Sequence, residues 1–320
     1  MKIFKNQRGF GGIVGLMLIA IIIAALAFVA WRVWGSQDQA EQRTVDTSKN
    51  DSYNWSTMAQ GPYNDRVSFA TSSDLLNWKD SGQILAEHAS VPDGIYKREN
   101  GTIYVYFVDV SQDGQPEKIG LIRSSDGGQT WTDRQFVTIQ GLGDKIAVDP
   151  DPYLLTDGRI RLYFFDIADT RTPGNSGKIY SALSDDGINF KLEQGIRLER
   201  PDGLFDPDVV WVDGTWYMYA GDGTGQKTIV ATSSDGLNFS EKGVAYSEGA
   251  IPNVYYDGQQ FFLYTGGINI ATSSDGLKFN KTDNRFESSF GLTADPGVIY
   301  LGSNDYLMVF KTKTTKPPGQ

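Results

Sequence analysis

There is no cysteine in these 320 residues. Disulfides, thiol nucleophiles and thiolate metal sites are therefore excluded. Histidine is nearly absent too. The single copy, His88, excludes a histidine-rich metal centre and argues against a Ser-His-Asp triad. No nucleophile-elbow motif accompanies it. Clustered positive charge is also missing. The formal net charge is −10 and no basic block follows residue 35. Nucleic-acid binding needs grouped Lys and Arg, so no such partner is expected. Nor is any cofactor or metal. Outside the N-terminus no long stretch shows the periodicity of an amphipathic helix.

One long apolar run is present. "FGGIVGLMLIAIIIAALAFVAW", residues 10–31, is 22 residues without a charge. A membrane helix takes about 20 apolar residues, whereas a secretory apolar core is usually ~7–15. Lys2, Lys5 and Arg8 precede the run and only Arg32 follows closely. The positive-inside rule then places the N-terminus in the cytoplasm and the rest of the chain outside the cell. The expected organisation is a basic tip and membrane anchor over 1–35, a polar tether over 36–64, a folded domain over 65–313 and a tail over 314–320.

Aromatic residues make up 12% of the chain and glycine numbers 36, which suits many short strands and tight turns. A phrase repeats among them. "SSDGLNF" (233–239) returns as "SSDGLKF" (273–279), with looser copies "SSDLLNW" (72–78), "SSDGGQTW" (124–131) and "LSDDGINF" (183–190). The shared carboxylates are Asp74, Asp126, Asp186, Asp235 and Asp275, spaced by 52, 60, 49 and 40 residues. Such periods belong to propeller blades or solenoids. An Asp side chain accepts backbone N–H groups two or three residues on and closes a turn. The phrase therefore reads as structural. It resembles the Asp-box of sialidase-like propellers.

A second phrase alternates with the first. It runs "VPDGIYKRENGTIYVYF" (91–107), "VDPDPYLLTDGRIRLYFF" (148–165), "FDPDVVWVDGTWYMYA" (205–220), "IPNVYYDGQQFFLY" (251–264) and "ADPGVIYLGSNDYLMVF" (294–310). Each is a proline, a short apolar strand, a turn and an aromatic-rich strand, the signature of a hairpin. The first Asp-box has no hairpin before it, and the last hairpin has no box after it. Joining these halves predicts an all-β, five-bladed β-propeller of four-stranded blades, preceded by one transmembrane helix. Residues 66–86 and 294–312 would share one blade, hiding strand edges.

"ATSSDLLNWKDSGQIL" (70–85) and the hairpin phrases resemble the five-bladed glycosidases of glycoside hydrolase family 43, over roughly residues 65–312 and with the order circularly shifted. The resemblance implies an inverting hydrolase acting on carbohydrate. It casts Asp295 as general base and Asp149 as the residue that tunes pKa and orientation. Asp206 is the carboxylate available as acid, because Phe205 stands where the family's Glu is expected. Glu248, in "SEGAIPN", is a weaker substitute. Asp93, Asp151 and Asp208, just after Pro, form a second column, so several carboxylates should face one axial pocket. Phe205 and Trp211, near strand starts, are candidates for stacking on sugar rings. Two other readings stand beside this one. A non-catalytic glycan-binding or scaffolding propeller fits the missing Glu. A sialidase fits less well, because the hairpin starts contain no arginine and the Arg-Ile-Pro signature is absent.

Overall fold

The computed structural model describes residues 53–58, 61–170 and 176–313. The chain divides into two units, Met1–Ser52 and Tyr53–Gln320, and every described residue lies in the second. The expected membrane helix falls outside the described residues. Among those described, no helix is long and apolar enough to cross a membrane.

Strands β1 (Asp65–Ser72) and β2 (Lys79–Glu87) begin the series. The second blade is β3 (Ala89–Lys97), β4 (Thr102–Asp109), β5 (Lys118–Ser124) and β6 (Gln135–Phe136). A short strand, β7 (Thr138–Gln140), then crosses to the third blade. There it lies beside β8 (Ala147–Leu154), β9 (Ile160–Asp166), β10 (Gly177–Ser184), β11 (Asn189–Leu192) and β12 (Leu198–Arg200). The fourth blade is β13 (Leu204–Val212), β14 (Thr215–Asp222), β15 (Thr228–Ser233) and β16 (Ser240–Tyr246). The fifth is β17 (Asn253–Tyr256), β18 (Phe261–Thr265), β19 (Asn269–Ser273) and β20 (Asn280–Arg285). Finally β21 (Ala294–Gly302) and β22 (Asp305–Lys313) return to the first blade, whose order is β2-β1-β22-β21.

The closure expected from the offset repeats is therefore present. β1 and β22 pair from Asp65↔Lys313 to Ser72↔Tyr306, so both ends of the domain share one sheet. Four blades have the expected four strands, and the third has six. Its outer strand is split into β11 and β12, which both pair with β10. The break accommodates Glu193, which receives both Arg161 guanidinium contacts, at 2.8 and 3.1 Å, and the Ser181 hydroxyl at 2.6 Å. β7 joins the same sheet in parallel with β11. The polar tether also ends sooner than residue 64. Trp55 is buried and donates its indole N–H to the Gln115 carbonyl at 2.8 Å. Tyr63 stacks on His88 at 3.8 Å, and His88 Nδ1 donates to the Tyr63 carbonyl at 2.6 Å. This histidine anchors the start of the fold.

The repeated Ser-x-Asp phrase does what its chemistry predicts. In the fourth blade Asp235 Oδ1 accepts the Leu237 and Asn238 N–H groups at 2.8 and 2.9 Å, and Ser233 Oγ accepts the Gly236 N–H at 3.0 Å. The box also presents a carbonyl to the preceding blade. Tyr106, Tyr163 and Tyr219 each donate a hydroxyl at 2.8 Å to Gly187, Gly236 and Gly276 respectively, and Tyr264 donates to Leu75 at 2.7 Å. All four tyrosines are fully buried. The equivalent position of the first blade is Val309, which has no donor. Facing it is the longer box of the second blade, where Trp131 packs near Phe69 with centroids 6.2 Å apart. Five buried apolar clusters fill the five seams between blades.

Candidate functional site

At or near the start of each inner strand stand a residue, a proline and a third residue: Val91-Pro92-Asp93, Asp149-Pro150-Asp151, Asp206-Pro207-Asp208, Ile251-Pro252-Asn253 and Asp295-Pro296-Gly297. All five residues before proline have positive φ, at 47, 52, 47, 60 and 50°. Asp tolerates that region, but the β-branched Val91 and Ile251 do so only under strain, ~1–3 kcal/mol each. In four blades the pairing register slips at this point. The device is thus a bulge that re-aims side chains, and it persists whatever residue fills it. Together these segments line a small axial cavity of about 20 Å³.

The residues before proline form one row. Asp206 N–H donates to Asp149 Oδ2 at 3.3 Å. Burial, opposed by that backbone hydrogen bond, holds Asp149 up to about 6. Burial and the neighbouring charges of Asp149 and Asp295 push Asp206 well above the carboxylate range. Asp295 is 3% exposed and forms an ion pair with Lys311. Burial disfavours the lysine's charge, yet Asp295 and Asp65 outweigh it and its pKa is raised. Asp65 in turn receives the Ser90 hydroxyl at 3.0 Å. The predicted trio does converge, and the sequence reading missed Lys311 and Asp65. A signal for Lys311 existed. It lies opposite Ala294 in the hairpin, where the other blades place Val108, Phe165, Gly221 and, two residues past Tyr264, Gly266.

The residues after proline form a second row. Here a side chain of one blade ties down the backbone of the next. Asp151 accepts the Val209 N–H. Asp208 Oδ2 accepts the Val254 N–H at 2.8 Å, and Asp208 Oδ1 accepts from the Asn253 amide at 2.6 Å. Asn253 Oδ1 accepts the Val298 N–H at 2.9 Å. The chain of bonds then breaks. Gly297 has no side chain, and a Cβ there would lie 2.5 Å from Asp93 Oδ1. Asp93 Oδ1 therefore accepts its own neighbour, the Gly94 N–H, at 2.7 Å. In the third blade the next backbone nitrogen belongs to Pro152, which has no hydrogen to donate to Asp93. Burial pushes Asp208 up to about 8; burial, assisted by the charge of Asp208, also raises Asp93 and Asp151 well above the carboxylate range.

The other expected contributors lie elsewhere. Phe205 sits opposite Gly221 and packs against Val108, Val148 and Phe165. A Cβ on Gly221 would meet its ring at 2.4 Å, so the glycine makes room for it. Trp211 is 48% exposed but pairs with Trp216 beside the turn. That is the far end of β13 from Asp206, at ~3.3 Å per residue, so it is not near the strand start as expected. Glu248 is exposed, pairs with Lys281 at 3.2 Å, and does not line the cavity.

No protein-family model matches the sequence, and no curated protein matches it. Solved structures match in fold. A thermostable family-43 glycoside hydrolase has a TM-score of 0.54 at 17% identity, over 73% of this chain and 90% of its own. A GH43_1 enzyme from Xanthomonas citri gives 0.54 at 15% identity, over 72% of this chain and 90% of its own. A GH32 beta-fructofuranosidase of Bombyx mori gives 0.54 at 15%, over 88% of this chain and 63% of its own. The chain shares the architecture of the five-bladed glycosidase propellers; a shared fold does not by itself carry an activity.

Proposed function

We propose that this propeller recognises carbohydrate at its axial face and does not hydrolyse it. One observation carries the second half of that reading. The carboxylate cast as general base, Asp295, lines a cavity of about 20 Å³ and is ion-paired with the half-buried Lys311. That volume suits one water molecule or ion, not a sugar ring between two catalytic carboxyls. Phe205 at the acid's place is consistent with this. Support for a carbohydrate partner comes from the fold, shared with a family-43 glycoside hydrolase and a fructofuranosidase. We further propose that the N-terminal apolar run tethers the propeller at the outer face of a membrane.

A hydrolase remains the second reading, favoured by Asp206. Its raised pKa beside Asp149 is what a general acid needs near neutrality. Asp295 would then be base and Asp149 the positioning group. One experiment separates the two. The full chain is incubated with xylan, arabinan, fructan and mannan, and both retention and released reducing sugar are measured. Retention without release is expected. Release that disappears in Asp295→Asn would establish the hydrolase, and failure to retain any of the four would count against carbohydrate recognition.

A further inference from the structure

We propose that the hairpin end of the second blade holds a second sugar site, for an acidic unit of a glycan, a hexuronate, whose carboxylate pairs with Arg123. The site rests on the reading that the partner is carbohydrate, but it lies away from the axis. A cavity of about 350 Å³ opens there, lined among others by Asn100, Tyr104, Arg123, Ser125, Trp131 and Thr132. Small-molecule sites occupy ~300–1,000 Å³ and combine aromatic faces with a few polar groups. This cavity shares no residue with the axial one. No carboxylate lines it, although the chain has a net charge of −10.

Arg123 marks the ligand as an anion. The residue before the box serine is Thr71, Leu183, Thr232 and Thr272 in the other blades, so a cation here is peculiar to the second. The guanidinium lies 6.0 Å from the centre of the Tyr104 ring. Its Nη2 donates to Gln135 Oε1 at 3.4 Å, longer than the usual ~2.7–3.2 Å. Among the described residues no carboxylate pairs with it. The planar fork of a guanidinium matches a carboxylate through two parallel hydrogen bonds. The other groups mark the ligand as a sugar. Trp131 stands five residues after its box Asp, whereas Trp78, Phe190, Phe239 and Phe279 stand four after theirs. Its ring is half-buried, and its indole N–H donates to the Gly128 carbonyl at 3.1 Å, which fixes the ring's angle. A ring already held in place costs little entropy when the apolar face of a sugar stacks on it. Donors for hydroxyl oxygens stand nearby. Thr132 Oγ1 accepts the Arg123 N–H at 3.1 Å and keeps its own hydrogen to donate. Asn100 Oδ1 accepts the Thr102 N–H at 3.1 Å, which leaves its amide NH2 to donate. The acid of this turn, Asp126, is occupied by the Thr130 hydroxyl at 2.6 Å and by the Gln129 and Thr130 N–H groups at 3.0 and 2.9 Å.

The full chain, purified in detergent, is titrated calorimetrically with digalacturonate, galactobiose, inorganic phosphate and a pentaglutamate peptide. Digalacturonate differs from galactobiose in carrying carboxylates in place of hydroxymethyl groups. It should bind about tenfold more tightly or better, the worth of a hydrogen-bonded charge pair. Arg123→Gln should abolish that preference. Lys242→Gln, which removes the same charge from an exposed residue, should keep it. Should Arg123→Gln not fold, crystals of the unaltered protein soaked in digalacturonate locate the sugar, and density between Arg123 and Trp131 supports the site. No digalacturonate binding, equal affinity for phosphate or the peptide, sugar density elsewhere, or a preference that persists in Arg123→Gln overturns it. The axial reading fails on retention of the four polysaccharides and this site on the digalacturonate preference, so the two failures are told apart.

Discussion

The hydroxyl of Tyr219 links the fourth blade to the fifth. It donates to the Gly276 carbonyl at 2.8 Å, inside the box held by Asp275. Tyr219 is fully buried, and burial keeps its hydroxyl protonated far above neutral pH. In Tyr219→Phe the ring keeps its edge contact with Phe279, at 5.7 Å. The loss is therefore confined to one hydrogen bond and an orphaned buried carbonyl, ~1–3 kcal/mol. For a domain of this size that is ~2–4 °C of melting temperature per kcal/mol. Asp275→Ala removes acceptors for the Leu277 and Lys278 N–H groups, at 2.8 and 3.1 Å. Those groups are exposed and regain water, so the direct cost is nearer ~1 kcal/mol. The informative quantity is the double mutant. If the box exists to hold the carbonyl for the tyrosine, the two losses overlap, and the double mutant is ~0.5–1.5 kcal/mol more stable than their sum. Urea unfolding of the four proteins measures it. Additivity within ~0.3 kcal/mol would falsify the idea that box and tyrosine act as one unit.

Gly297→Ala should destabilise by roughly 2–4 kcal/mol, because the new Cβ would lie 2.7 Å from the Asp93 Cα and 2.8 Å from the Pro92 carbonyl oxygen; an unfolding midpoint within error of the parent would contradict the close approach. Ending the chain after residue 290 removes β21 and β22 and leaves β1 unpaired on one side; gel filtration should show aggregate, and a soluble monomer would refute the shared blade. Acid should weaken the fold between about pH 4 and 2. Hydrogen bonds from Asn77 and Thr130 hold Asp74 and Asp126 down to about 2, so the stability they lend is full above the unfolded value of ~3.9 and lost below it. Asp149, held up to about 6, acts in the opposite sense, favouring the fold below ~4 and losing that contribution as pH rises through about 6. A urea midpoint that stays flat from pH 4 to 2 would be the contrary result.

What the sequence alone determined follows from chemistry acting over a few residues. Ser233, Asp235 and Gly236 close their turn wherever they are placed, so five copies announce five outer hairpins. Alternating aromatic strands after each proline announce the inner ones. Even the shared blade was legible, because a half-motif at each end has one simple completion. The meeting of side chains from different blades was not legible in this way. That Asp149, Asp206 and Asp295 converge could be anticipated only from their common place before proline, and the sequence placed Trp211 at the wrong end of its strand. Lys311 joined Asp295 because Ala294 lies opposite it in the hairpin, and β1 brought Asp65 alongside from the other end of the chain. Pro152 and Gly297 are ordinary residues in their own strands. Only across a seam does the missing N–H of one and the missing side chain of the other leave Asp93 and Asp151 facing each other. Such an encounter depends on the register and twist of neighbouring sheets, which no short stretch of chain encodes.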